Sequence, residues 1–266
     1  MSKLQVLVTT MHQTDFSKLE MMNIQTDVLF ANQADTCSHA EILWQGCRAE
    51  MVTTKTRGTS RNRNTAIIHS SAEAEYVLFA DDDLTFVEGY EKLVEDAFAE
   101  HPQADAIRFN TQIVSGRNPG LSYKGGTFKK AKATDVTSFG VNGLVIKRQV
   151  LLKNNLHFNE SFGPGTDNFC GEDSIFLQDL IKSGVGFYLS PVKLGDISAE
   201  VSTWYEGKTP RYFETAGMVL AAIFPRLSPV LAVRSAYKAS RRSDTELGFG
   251  EILTCYRRGI QKHLKG

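Results

Sequence analysis

Apolar residues come in short runs of strand length, separated by polar stretches. LQVLVTT (4–10), TDVLFAN (26–32), AEMVTT (49–54), YVLFA (76–80) and DAIRFNTQI (105–113) each predict a strand. TSRNRNTAIIHSS (59–71) predicts a helix with Thr59 or Ser60 as N-cap. Residues 87–100 predict another, with Leu93, Val94, Ala97 and Phe98 on one face. Runs that are apolar throughout suit strands buried on both faces, hence a mostly parallel sheet. The pattern changes after residue 115. Residues 115–136 are rich in Gly, Lys and Thr and read as a loop or hairpin. FGVNGLVIKR (139–148) contains a strand. Residues 172–183 form a helix with Phe176, Leu177, Leu180 and Ile181 inward, and GFYLSP (186–191) is a strand. From Pro210 onward the chain reads as helical and basic. The fold class expected is α/β: a mostly parallel central sheet flanked by helices, with a helical C-terminal extension.

Composition changes this picture only in its details. The 266 residues are 42% hydrophobic and 23% charged, which excludes a disordered, collagen-like or coiled-coil chain. Formal charge is zero but unevenly spread. Residues 1–206 hold 19 basic and 26 acidic residues, whereas 207–266 hold 11 and 4. An acidic body argues against nucleic-acid binding. The basic tail suits an anionic lipid surface or acidic partner, or is simply the solvated side of packed helices. The apolar stretch Ala216–Phe224 is cut by Pro225-Arg226, well short of the ~20 residues that span a bilayer. Cys37, Cys47, Cys170 and Cys255 form no C-x-x-C pair, and Met1-Ser2-Lys3 leads straight into the first strand pattern. A reduced, cytoplasmic setting without a signal peptide is expected.

Two segments carry the candidate chemistry. FADDDLTF (79–86) puts three adjacent carboxylates at the end of a buried strand, the edge where open α/β sheets bind ligands. Such charges repel and call for a cation or several donors. Asp81 and Asp83, two apart on extended backbone, would point the same way and suit Mg²⁺ or Mn²⁺, which in turn holds phosphate oxygens. An acidic turn that only caps the next helix is the plainer alternative. VLFADDDLT also fits the signature of dehalogenase-type phosphatases, with Asp81 as nucleophile and Asp83 as acid/base. RGTSRNRN (57–64) opens the preceding helix. Arg57, Arg61 and Arg63, with Gly58 permitting close backbone approach, either form an anion site at the helix N-terminus or balance the aspartates.

A strand, the run SRNRN, a helix, a strand ending in DDD and a later Glu172-Asp173 in GEDSIFLQDLIKSG (171–184) together resemble the family-2 glycosyltransferases of the GT-A fold. MNI (22–24), NQ (32–33) and STWYEG (202–207) further resemble a bacterial branch associated with capsule or exopolysaccharide assembly. The resemblance implies a GT-A-like domain over 1–206, with a nucleotide-sugar-binding half (1–115) and an acceptor half (116–206), followed by a basic helical extension (207–266). It implies inverting transfer of a sugar from a nucleoside-diphosphate donor, with a UDP-sugar the first expectation, to a glycan or lipid-linked hydroxyl. Asp83 would bind a divalent metal, Mg²⁺ or Mn²⁺, and Asp81 the metal or ribose, with Asp82 nearby. Asp173 would be the general base and Glu172 its orienting partner. Thr9 and Thr10 would lie by the nucleobase and ribose, and Arg57, Gly58 and Arg63 near the nucleotide. Two departures stand out. GDISAEVSTW (195–204) lacks the late histidine that many relatives use as a metal ligand, leaving Asp196, Glu200 or no second protein ligand. Asn32-Gln33 replaces the usual acid at the end of the second strand. His12, His39, His69, His101, His157 and His263 show no metal-ligand spacing. Trp204 and Tyr205 suit stacking on an acceptor sugar or burial in the core. A catalytically inactive nucleotide- or carbohydrate-binding protein is the remaining alternative, and peripheral contact with the inner face of the plasma membrane would go through the extension.

Overall fold

The computed structural model describes residues 2–115, 119–198 and 207–265. The chain runs β1 (Leu4–Met11), the short α1 (Lys18–Met21), β2 (Asp27–Gln33), a hairpin of β3 (Ser38–Trp44) and β4 (Cys47–Thr54), and α2 (Thr59–Ile68). It continues through β5 (Tyr76–Asp81), β6 (Leu84–Phe86), α3 (Tyr90–Glu100), β7 (Ala106–Ser115), β8 (Gly120–Leu121), β9 (Lys129–Lys130), β10 (Leu144–Lys147) and α4 (Arg148–Lys153). After these come α5 (Glu172–Lys182), β11 (Phe187–Ser198) and three helices, α6 (Pro210–Ile223), α7 (Ser228–Ala239) and α8 (Phe249–Lys265). The sheet order is β3-β4-β2-β1-β5-β10-β7-β11-β6. Strands β4, β2, β1 and β5 are mutually parallel, as are β7 and β11. Antiparallel β10 is wedged between β5 and β7.

Alternation along each strand feeds two apolar layers. Leu7, Leu29 and Phe79 pack with Ala66 and Ile67 of α2 and with Phe176 and Leu180 of α5. Val6, Val8, Phe30 and Leu78 pack on the opposite face with Leu19, Val94 and Phe98. Both faces are covered, which explains why the parallel strands read as continuous apolar runs. The expected α/β class with a helical end is therefore what the chain adopts.

Several details differ from expectation. Strand β3 is exposed along almost its whole length, so no burial pattern announces it. Its presence makes the aspartate run close the fifth strand rather than the fourth. Helix α2 is capped by Gly58, at φ 109°, not by Thr59 or Ser60, because the Ser60 hydroxyl donates instead to the Phe162 carbonyl at 2.7 Å. Leu93 lies only partly buried on α3, where Tyr90 takes an inward position. The last three helices share a core around Phe213, Ala236, Ile252 and Tyr256, while Met218 and Ile223 of α6 join the layer of α5. Among the described residues no helix is long and apolar enough to cross a membrane. All four cysteines are free.

Candidate active site

Parallel pairing sets Thr9 of β1 opposite Asp81 of β5, so the two strands end together. The Thr9 hydroxyl donates to Asp81 Oδ1 at 2.8 Å, and the Thr10 hydroxyl to Asp82 Oδ2 at 2.6 Å. Asn142, in the loop before β10, grips Asp81 twice. Its side-chain oxygen accepts from the Asp81 N–H at 2.6 Å, and its amide donates to Oδ2 at 3.0 Å. Asp82 also pairs with Lys18 at 3.5 Å.

Arg63 ties this strand end to the start of α5. Its guanidinium, 4% exposed, reaches Asp81 at 3.1 Å, Glu172 at 3.5 Å and Asp173 in a shorter contact. It also lies over the Phe158 ring, 5.2 Å from the centroid. Burial opposes a charge on Arg63, but the Asp173, Asp81 and Glu172 carboxylates outweigh it and hold its pKa above the usual range. Asp81 is held below its usual value: burial works against this, and Arg63, Thr9 and Asn142 overcome it. Glu172 is pushed up to about 7, first by burial and then by Asp173. Asp173 is more open than Glu172, its side chain 25% exposed against 11%. Its Oδ2 accepts from the Val141 N–H at 3.2 Å, and a Cβ on Gly140 would sit 2.6 Å from that oxygen. Only a residue without a side chain lets the loop come so close.

The run SRNRN is a set of clamps. Ser60 and Asn64 hold the 158–162 segment, Asn64 exchanging bonds with both Phe158 backbone groups at 2.8 and 3.0 Å. Asn62 donates to the Thr10 and Ala31 carbonyls at 3.0 and 2.8 Å, fixing the ends of β1 and β2. The expected convergence of three arginines at the helix N-terminus does not occur. Arg57 is exposed and binds Asp35 and the Ala34 carbonyl. Arg61 pairs with Glu160 on the surface, and only Arg63 enters the acidic cluster. The helix N-terminus is itself covered: the Thr59 N–H donates to the Pro164 carbonyl at 3.0 Å, and a Cβ on Gly165 would lie 2.9 Å from Gly58 Cα. Gly58 thus serves a backbone-to-backbone contact. Asn32 and Gln33 are buried, holding Gln13 and Gly58.

Asp82 and Asp83 form a turn, so the argument that Asp81 and Asp83 share a strand face fails. Asp83 lies in that turn, beside Asp81 and Asp82. Its Oδ1 is buried with no hydrogen-bond partner, and its pKa is raised to about 6, chiefly by burial and then by Asp81 and Asp82. An orphaned, acceptor-only oxygen among like charges is what a hard divalent cation satisfies. Five carboxylates (Asp81, Asp82, Asp83, Glu172, Asp173) lie around three cations, Arg63, Lys18 and the buried Arg108, so the cluster carries excess negative charge. The residues present therefore fit Mg²⁺ or Mn²⁺ at Asp83. Asp196 is turned to Lys193 at 2.9 Å, while Glu200, Trp204 and Tyr205 lie outside the described residues. His39, Glu41 and Glu50 also gather their ligand atoms within 4.8 Å, on the β3–β4 hairpin, but Arg48 pairs with both glutamates there, at 2.8 and 3.1 Å.

Both Asp81 oxygens are engaged by Thr9, Arg63 and Asn142, which does not suit a phosphatase nucleophile. Sequence reasoning missed Asn142, Lys18 and Arg108. Arg108 is 2% exposed, donates to the Gly140 carbonyl at 2.9 Å and leaves Nη1 unpartnered. Burial lowers its pKa to about 9, against the opposing pull of Asp173.

This site, where β1 and β5 end together, is the arrangement expected of a GT-A-type fold. The same fold occurs in S. aureus TarS. The structure of TarS 1–349 with UDP-GlcNAc matches at a TM-score of 0.63 and 14% identity, covering 100% of this chain and 92% of that one. TarS 1–349 with UDP gives 0.58 and 16%, covering 100% and 72%. Another TarS structure gives 0.61 and 15%, over 91% of this chain and 44% of its own length. No family model matches the chain, and no curated protein is similar to it in sequence.

Proposed function

We propose that the chain is a metal-dependent, inverting glycosyltransferase that moves a hexose-type sugar from a UDP-sugar to the hydroxyl of a glycan or lipid-linked acceptor, in the cytoplasm, during surface polysaccharide assembly. One observation carries this reading: Arg63 gathers Asp81 of the strand end and Glu172-Asp173 of α5, 110 residues away, into one cluster. The shared fold with TarS, solved with UDP-GlcNAc and UDP, supports the donor class.

In this reading Asp83 holds the divalent cation, which when bound offsets charge on the departing diphosphate. Asp81, fixed by Thr9, Arg63 and Asn142, positions the turn that carries Asp83 and faces the ribose. Asp173, whose side chain is a quarter exposed, takes the proton of the acceptor hydroxyl. The hydroxyl oxygen forms its bond to the anomeric carbon as the bond to the diphosphate breaks, from the opposite face. Glu172, which burial keeps partly protonated near neutrality, spares Arg63 for Asp81 and Asp173. The test is Asp173→Asn. Donor binding, read by thermal shift with UDP and Mn²⁺, should persist while transfer falls by about 10²–10⁴. Undiminished transfer rejects Asp173 as base. Donor binding with no turnover even in the wild type would indicate a binding protein instead.

A further inference from the structure

Helix α7 is built the wrong way round for a helix with water on its outer side. It packs inward through Ser228, Ala232, Ala236 and Ala239. Its larger apolar chains face out: Val230 is 68% exposed, Val233 44% and Tyr237 52%, with Leu227 just before them at 58%. A globular helix ordinarily buries such residues and shows small or polar ones. Phe249, at the start of α8, adds to the same face. Val230, Val233, Tyr237 and Phe249, with Arg234 and Arg257, line a groove of about 640 Å³.

The charged residues that line the groove, Arg234 and Arg257, are both basic. Helix α7 contains no acidic residue. Arg226, Arg234, Lys238 and Arg257 are exposed and have no ion-pair partner among the described residues. Arg241 lies over the Tyr237 ring, 4.8 Å from its centroid, which keeps the aromatic ring and a cation together at the surface. We infer that this face docks on an anionic lipid bilayer. Shallow apolar chains of moderate size interleaved with long basic ones match the boundary between headgroups and acyl chains, and the excess positive charge matches acidic headgroups.

The placement also links the surface to the candidate site. Helix α6, which packs on α7 and α8, abuts the residue before Glu172: a Cβ on Gly171 would lie 2.2 Å from Val219 Cγ2. The docking helices and the start of α5 are thus mechanically continuous. The inference does not depend on the transfer reaction proposed above, and its test uses no activity assay.

The full chain is sedimented with vesicles of phosphatidylcholine alone or with about 30% phosphatidylglycerol, at about 0.1 M salt. Binding to the anionic vesicles only, weakening as salt rises, is expected. Arg234→Gln with Lys238→Gln should weaken it about 25-fold, about fivefold for each charge removed. Val230→Ser with Val233→Ser should also weaken it. All four side chains are exposed, so thermal melts of both variants should match the wild type. Absent binding to anionic vesicles, equal binding to neutral ones, or binding unchanged in both variants overturns the inference. So does a dimer in light scattering that Val230→Ser dissociates while vesicles remain unbound, which would assign the face to a second copy of the chain.

Discussion

Arg63→Met is the sharpest perturbation of the site. Met keeps much of the buried length but removes the charge that Asp81, Glu172 and Asp173 share. Breaking a buried ion pair by deleting one partner costs about 3–5 kcal/mol. Here Arg63 is nearly sealed, but the Asp81 and Asp173 side chains are 36% and 25% exposed, so solvent screens part of the loss. The lower end, about 3 kcal/mol, is the expected value, which lowers Tm by about 6–12 °C in a chain of this size. The pH dependence makes the test specific. Asp81 has a depressed pKa in the folded protein, because Arg63, Thr9 and Asn142 overcome the effect of burial. Such a group contributes stability above its unfolded pKa and loses it as pH falls through the folded value. Without Arg63 the buried carboxylates instead hold protons more tightly than in the unfolded chain, and the variant regains stability as they take them up. The Tm gap between wild type and variant should therefore be widest near pH 7 and narrow toward about pH 4. Thermal melts followed by circular dichroism across this range suffice. A gap below about 2 °C at pH 7, or one that stays constant or widens on acidification, refutes the claim that Arg63 holds the cluster together.

Two further predictions rest on other residues. Asp83, with its pKa raised to about 6 by burial and then by its neighbours, must lose its proton to bind a cation. Mn²⁺ affinity measured by calorimetry should be level above about pH 7 and fall by up to about tenfold per unit below about pH 6, a slope that Asp83→Asn abolishes. Without metal, the same raised value means stability is lost as pH rises toward 6 and is restored by added Mn²⁺; affinity independent of pH from 5 to 7 would contradict this. Gly259→Ala should destabilise, although Ala normally favours a helix interior by about 1 kcal/mol over Gly. A Cβ there would lie 1.9 Å from the Glu214 carbonyl oxygen of α6, so the two helices must part, at a cost of about 1–3 kcal/mol and a Tm drop of about 2–12 °C. A rise in Tm would show that α6 and α8 are not in close backbone contact.

The parts of the fold that were legible in the sequence are those whose burial is continuous. Strands β1, β2, β4, β5 and β7 announced themselves because helices cover both faces of the sheet. Strand β3 did not, since an exposed edge strand imposes no apolar pattern, and β6 is only three residues long. The site was legible as a set of residue types but not as an arrangement. Arg61 and Arg63 look like one basic patch along the chain, yet two residues on a helix are about 200° apart, so one faces Glu160 at the surface and the other the core. Asp81 and Asp83 look like a strand pair, yet the chain turns between them. Asn142 has no local signal, because its partner lies 61 residues away and only the sheet order joins them.

That sheet order also explains why the site closes where it does. Had the strand between β5 and β7 been parallel to them, its carboxyl end would have met the Asp81 edge. Because β10 runs the other way, its entry loop arrives there instead. Asn142 then locks Asp81, the Val141 N–H holds Asp173, and Gly140 gives Asp173 the room it needs. Arg108, beneath the loop, ties the Gly140 carbonyl from below. Asp81 has both oxygens engaged, Asp82 Oδ2 is held by Thr10 and Lys18, and Asp173 is held by Arg63 and Val141. Of the five acids gathered at this edge, Asp83 alone has a buried carboxylate oxygen without a partner among the described residues. Asp83, in the turn that Asp81 and Asp82 hold still, thus has an unmet acceptor for a hard cation to satisfy, and this is the geometric ground for the metal requirement proposed above.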